Sequence, residues 1–171
     1  IQNPTEEPTR ITGALEFDKV SFTYPDSGIR ALNDISFKIE PGHSLAIVGK
    51  TGSGKSTIAS LIGRLYDPTE GRVLVDDHNA REINLNNLRT SIGYVPQDPV
   101  LLHDTIFNNI IVGEPALTEA DARAALEKAG MLLDQFQLTN HRFKKPAELS
   151  GGQSQRVAIA RAIAPDPDIV F

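Results

Sequence analysis

Gly49-Lys50-Thr51-Gly52-Ser53-Gly54-Lys55-Ser56-Thr57 decides how this chain is read. The stretch fits G-x-x-x-x-G-K-[ST], a phosphate-binding loop. Ahead of it, Ser44-Leu45-Ala46-Ile47-Val48 reads as a buried strand. Behind it, Ile58, Leu61, Ile62 and Leu65 recur at helical spacing. A glycine loop therefore joins a strand to a helix N-terminus, the context that separates a phosphate cradle from a chance match. Glycines let the backbone adopt positive φ and approach phosphate oxygens closely. The exposed N–H groups and the helix dipole then favour an anion. Lys55 is placed to set its ammonium between the β- and γ-phosphates of a triphosphate, and Ser56 to offer a hydroxyl to Mg²⁺. Gly49, Thr51, Gly52, Ser53, Gly54 and Thr57 complete the phosphate-binding candidates.

Bulk properties narrow the class. A chain of 171 residues has the length for one domain with a proper core. The net charge of −5, with no basic run beyond Phe143-Lys144-Lys145, argues against a nucleic-acid surface. Cysteine is absent, which removes disulfides and thiolate metal sites and fits a reducing compartment. No apolar run reaches the roughly 18 residues of a membrane span, and no secretory signal is visible. The chain starts at Ile1 rather than Met, so it is expected to be cut from something longer.

Residues Ile1 to Thr12 are polar and rich in Pro, Thr and Glu, and read as a linker. Leu15 and Phe17, then Val20 and Phe22, alternate with a phase shift near Asp18-Lys19, which predicts a bent strand up to Tyr24. Pro25-Asp26-Ser27-Gly28 is a turn, and Ala31 to Ile39 a second strand. Asp67-Pro68 breaks the chain. Gly71 to Asp76 reads as a strand, Asn84 to Arg89 as a short helix, and Ile92 to Val95 as a short strand stopped by Pro96. Thr105 is placed to cap a helix carrying Ile106, Phe107, Ile110 and Ile111. Thr118-x-x-Asp121 resembles a capping box, opening a helix whose apolar face is Ala122, Ala125, Leu126 and Ala129, with Gly130 as a C-terminal cap or break. A last helix runs from near Ser150 to about Ile163, and Asp168-Ile169-Val170-Phe171 starts a buried strand. The sum is a mixed α/β core with a helical insertion.

Leu149-Ser150-Gly151-Gly152-Gln153 is the second decisive stretch, at a predicted helix start. Small residues there expose N–H donors and make another anion site. Two phosphate-type sites in one chain suggest a second copy of it. One subunit's loop would hold the nucleotide while the other's helix end covers the γ-phosphate.

With both stretches in hand, the chain resembles the nucleotide-binding domain of ABC transporters from Leu15 onward. Gly49 to Ser56 is similar to Walker A and Leu149 to Gln153 to the LSGGQ signature. The resemblance implies an α/β fold: a P-loop NTPase core with mixed sheet, an antiparallel β subdomain and an inserted α-helical subdomain. The implied division is a linker over 1–13, a nucleotide-binding core over 14–97, a helical subdomain over 98–150, and the signature helix with the start of the Walker B strand over 151–171. Tyr24 looks like the A-loop aromatic that stacks on adenine. Gln97, in Tyr94-Val95-Pro96-Gln97-Asp98, looks like the Q-loop glutamine, which in the family contacts Mg²⁺ and the attacking water and responds to the membrane domain. Ser150, Gly151, Gly152 and Gln153 would bind the nucleotide of the other copy. Leu101 to Ile110 resembles the "LF-x-DTI-x-xNI" stretch of exporter-type domains, in which a membrane domain precedes the ATPase on the same polypeptide.

Two departures stand out. Asn140-His141-Arg142-Phe143-Lys144-Lys145-Pro146 occupies the place of the exporters' "VGERG" segment and looks more like an importer or a shortened sequence. The Walker B aspartate and catalytic glutamate would lie just past Phe171, and none of the four histidines sits where the switch histidine belongs. The expectation is an exporter-type ATPase domain using ATP and Mg²⁺, partnered by a transmembrane domain and a second nucleotide-binding domain. It would work at the cytoplasmic face of a membrane, the truncated chain alone being competent for binding at best. A soluble ABC-type ATPase and a non-catalytic module stay open as alternatives. Asp98 and Asp104 read as turn and cap residues, His103 as a surface residue, and Lys144 and Lys145 as a solvated loop. Arg156 and Arg161 either salt-bridge the helix surface or serve function.

Overall fold

The computed structural model describes residues 1–111 and 119–171. They form two compact units, Ile1–Ser91 and Ile92–Phe171.

The first unit is built on an antiparallel sheet of order β2-β1-β3-β4, with β1 at Leu15–Thr23, β2 at Arg30–Ile39, β3 at Glu70–Val75 and β4 at His78–Asn79. Alternation places Leu15, Phe17, Val73 and Val75 on a buried face, since successive strand side chains point to opposite sides. The phase shift at Asp18-Lys19 is a bulge. Pairing with β2 shifts between Phe17 and Val20, and Lys19 takes φ 51°. Gly71 lies against that bulge at φ 74°, where a Cβ would sit 2.2 Å from the Lys19 carbonyl oxygen.

Helix α1 spans Lys55–Ile62 and buries Thr57, Ile58, Leu61 and Ile62. It stops one turn earlier than the periodicity predicts. Arg64 adopts φ 48°, the Leu65 N–H bonds the Ser60 carbonyl at 2.8 Å and the Arg64 N–H that of Leu61 at 3.2 Å. This is a Schellman ending with arginine in the left-handed position usually given to glycine. The Arg64 side chain is buried and held there by Asp67 at 3.1 Å and the Ala80 carbonyl at 3.2 Å. Leu65 consequently points outward, 60% exposed. Helix α2, Leu85–Thr90, follows Asn84, whose side chain accepts from the N–H groups of Asn86 and Asn87.

Two expectations for this unit are corrected. Ser44–Val48 is neither buried nor a strand: Leu45 is 46% and Val48 90% exposed, and residues 43–50 belong to no strand. A strand exists only through a neighbour's backbone, and the sheet's four strands are all supplied by other segments. The polar lead-in is also docked rather than loose. Ile11 is buried, the Asn84 side chain donates to the Thr5 carbonyl at 2.8 Å, and the Leu85 N–H donates to the Asn3 side chain at 2.8 Å. The Asp76 carboxylate collects the Thr12 N–H at 2.6 Å, the Thr12 hydroxyl at 2.7 Å and the Ala14 N–H at 2.9 Å.

The second unit carries β5 at Ile92–Gly93 paired in parallel with β6 at Ile169–Val170. Between them run α3 at Ile106–Ile111, α4 at Glu119–Gln135 and α5 at Gly151–Ile163. Their core gathers Ile106, Ile110, Ala129, Leu132, Leu133, Leu138, Val157 and Ala160. Thr105 caps α3 as expected, its hydroxyl accepting the Asn108 N–H at 3.1 Å. Asp104 caps the same turn from Oδ1, accepting the Thr105 N–H at 2.6 Å and the Asn108 side chain at 2.9 Å; those bonds hold its carboxyl below the usual range.

Helix α4 does not stop at Gly130. The stripe Ala125, Ala129, Leu132, Leu133 carries it five residues further, and Leu126 is turned outward at 47% exposure. A mid-helix glycine costs only about 1 kcal/mol against alanine, less than burial of the following leucines returns. The helix ends in a second Schellman motif, with Gln137 at φ 57°, Leu138 N–H on the Leu133 carbonyl at 2.7 Å and Gln137 N–H on that of Asp134 at 3.0 Å. The expected capping box at Thr118, and the side chain of Ala122, lie outside the described residues. The final strand is shorter and more open than expected, with Val170 52% exposed. Among the described residues no helix is long and apolar enough to cross a membrane.

Candidate functional site

In the first unit the glycine loop turns into α1 through Gly54, at φ 88°. A Cβ there would stand 2.5 Å from the Ala31 carbonyl oxygen, so both conformation and space demand glycine. Gly49 faces the inside of the loop, where a Cβ would fall 2.6 Å from the Ser53 hydroxyl. The loop is thus wound tightly enough for main-chain amides to reach a ligand directly, which fits a phosphate group. No side chain caps α1; the Thr57 N–H bonds the Gly54 carbonyl at 3.0 Å, which leaves the N–H groups of Lys55 and Ser56 at the helix start without acceptors within the helix.

Lys55 closes the loop from within. Its ammonium donates to the carbonyls of Gly49 at 2.9 Å and Lys50 at 2.8 Å and to the Ser53 hydroxyl at 3.4 Å. The cation is poised over the ring of residues 49–53, where neutral acceptors can be exchanged for anionic phosphate oxygens, a stronger type of bond. Gly49, Thr51, Gly52, Ser53 and Ser56 are exposed around it, while Thr57 is buried beneath. Ser56 offers an oxygen ligand suited to Mg²⁺, a hard cation that usually keeps several waters.

Tyr24 follows the end of β1 and is half-buried. Its hydroxyl lies 2.9 Å from that of Thr57, joining the two expected site residues directly. Its ring meets Phe22 edge-on at 4.9 Å and Tyr66 at 5.5 Å. Tyr66 was not among the expected site residues; the aromatic cluster that places it there depends on contacts across the unit.

In the second unit Gln97 is exposed in the bend after β5. Ser150 is the N-cap of α5: its hydroxyl accepts the Gln153 N–H at 3.3 Å and its own N–H donates to Gln153 Oε1 at 2.9 Å. That reciprocal box leaves Ser150, Gly151 and Gly152 exposed at the helix start. The Gln153 side-chain nitrogen then lies 3.0 Å from His141 Nε2, a residue to which the sequence assigned no role. Arg156 and Arg161 bond carbonyl oxygens, of Phe136 at 3.0 Å and Val100 at 2.9 Å, rather than carboxylates.

Known proteins resemble this chain in sequence and fold. Residues 32–171 match the family described as ABC transporter. The chain is 41% identical, over 99% of its length, to the ABC multidrug transporter mdr2 of Aspergillus fumigatus, of which it spans 23%. It is 42% identical, over 96% of its length, to the ATP-dependent lipid A-core flippase 1 of Colwellia psychrerythraea, spanning 30% of that protein. Among solved structures, a bacterial Atm1-family ABC exporter with ATP bound superimposes with a TM-score of 0.79 at 38% identity, over 96% of this chain and 30% of that one. The chain thus spans less than a third of each of these proteins.

Proposed function

The chain belongs to the ABC transporter family, and on that premise we propose that it is the ATP-driven motor domain of an exporter. Lys55 and the first-turn amides of α1 take the phosphate tail of ATP, with Gly49, Thr51, Gly52, Ser53, Gly54 and Thr57 shaping the cradle and Tyr24 stacking on the base. Ser56 and Gln97 are the residues that would hold Mg²⁺, which would supply charge neutralisation for the phosphate tail. Catalysis is positioning and charge stabilisation of phosphoryl transfer to water: Lys55 stabilises the transferred group and Gln97 orients the water. Ser150, Gly151, Gly152 and Gln153 complete the site of a second nucleotide-binding domain packed head-to-tail. The other partner is a transmembrane domain of the same transporter, so the domain works at the cytoplasmic face of a membrane.

The carrying observation is the Lys55 ammonium, suspended over the loop by two carbonyls and a hydroxyl beside an uncapped helix start. Lys55→Ala is expected to abolish detectable Mg-ATP binding by titration calorimetry, and unchanged affinity would overturn the assignment. Ser150→Ala is expected to spare ATP binding by the monomer and to block the ATP-dependent dimer. Normal dimers by light scattering would refute the role in the second copy's site.

A further inference from the structure

The structure assigns His141 as a positioning residue that orients Gln153 and, through it, Ser150. This rests on the proposed contact between Ser150 and the nucleotide of a second copy. Gln153 Oε1 is committed to the Ser150 N–H at 2.9 Å. The other end of the amide is therefore the NH₂ group, and it lies 3.0 Å from His141 Nε2. Two donors cannot face each other, so Nε2 is the acceptor and the imidazole proton sits on Nδ1. Nδ1 is sealed from solvent, and among the described residues it has no hydrogen-bond partner. A buried donor left unpaired is costly, so this tautomer persists against a penalty. What opposes the penalty is the chain of bonds on the other side of the ring. Turning the Gln153 amide over would bring its oxygen to the imidazole and strip the Ser150 N–H of its acceptor.

The imidazole is rigidly mounted. The His141 N–H bonds the Leu138 carbonyl at 2.7 Å and the Lys144 N–H bonds the His141 carbonyl at 2.8 Å, with Leu138 fully buried behind them. At the far end, the Ser150 hydroxyl accepts the Gln153 N–H at 3.3 Å, so its own hydrogen is free to donate outward to an anionic oxygen. By holding the Gln153 amide on the Ser150 N–H, His141 fixes the backbone from which that hydroxyl projects. It does so from the segment in which this chain departs from the exporter pattern.

The test pairs a spectroscopic readout with kinetics. Histidine-¹⁵N NMR of the 171-residue chain, with the resonance identified by its loss in His141→Gln, is expected to show Nδ1 protonated and Nε2 unprotonated. In the full-length dimeric protein, His141→Leu is expected to lower kcat/KM for ATP about five- to tenfold, the worth of roughly one lost hydrogen bond. His141→Gln, which restores an acceptor near the Nε2 position, is expected to recover most of that loss. An Nε2-protonated ring, or a glutamine variant as impaired as the leucine variant, overturns the assignment. Ser150→Ala separates the two readings: if it leaves ATP-dependent dimers intact, the second-copy contact fails, while the NMR result still decides the His141–Gln153 link.

Discussion

The Tyr24 and Thr57 hydroxyls are 2.9 Å apart, so the aromatic proposed to carry the base is tethered to the first turn of the helix that follows the phosphate loop. Phe22 and Tyr66 abut the same ring, fixing its tilt from other sides. The proposed base platform and the proposed phosphate cradle are therefore parts of one assembly.

Tyr24→Ala is expected to weaken ATP binding by about 1–3 kcal/mol, the scale of base–aromatic stacking. Tyr24→Phe keeps the ring, removes the tether and should cost about 1 kcal/mol or less. Calorimetric titration with ATP and GTP should give similar losses for both nucleotides. No loss for either in the alanine variant would exclude stacking.

Two glycines of the loop separate backbone strain from steric conflict. Gly52, at φ 81°, has open space within 4 Å of where a Cβ would stand, so Gly52→Ala meets only the left-handed penalty of about 1–2 kcal/mol. Gly54→Ala meets that penalty and the Ala31 carbonyl oxygen at 2.5 Å. Thermal melts should show the Gly54 variant clearly less stable than the Gly52 variant; equal melting temperatures would refute the packing at Gly54.

Asp76 should make stability depend on pH. Burial disfavours its charge, but hydrogen bonds from Thr12, Ala14 and Gly13 outweigh that effect and hold its carboxyl below the usual range. A carboxylate with a depressed folded-state pKa stabilises fully above its unfolded value of about 3.9, and the contribution is lost as pH falls through the folded value. Asp76→Asn is therefore expected to lower unfolding stability at pH 7, with the gap from wild type closing below about pH 4. A gap that is constant between pH 7 and pH 3 in urea titrations would contradict this.

Asn109 is fully buried. Its side chain accepts the Leu102 N–H at 2.7 Å and donates to the carbonyls of Leu102 at 3.0 Å and Thr105 at 2.9 Å. Asn109→Ala strands these groups and is expected to cost about 2–3 kcal/mol of stability. Amide hydrogen exchange should rise at Leu102 first; unaltered protection there would show that the asparagine does not hold this loop.

Local signals were legible in the sequence where the chemistry is local. The turn of the glycine loop into a helix at Lys55, the Ser150 cap and the Thr105 cap each depend on neighbours within a few positions, and each formed as expected. Two helix ends were not, because the residues in the left-handed position are Arg64 and Gln137 rather than glycine. Arg64 is held there by partners from 67 to 81, and Leu138 anchors the other end in the core. Ser44–Val48 failed for the complementary reason: its composition suits a strand, but pairing is decided elsewhere in the chain. At the site, residue types pointed to the candidate cradle, whereas the contacts of Tyr24 with Thr57 and of His141 with Gln153 join positions far enough apart that only folding brings them together.

The stretch from Leu45 to Val48 bears on how this chain behaves in solution. Three large aliphatic side chains, Leu45, Ile47 and Val48, face water in a short run with no charge among them, and their main chain is not enrolled in a sheet. Such a run is a template for sticking to like molecules. Concentrated preparations should self-associate through it, and Val48→Lys should keep them dispersed.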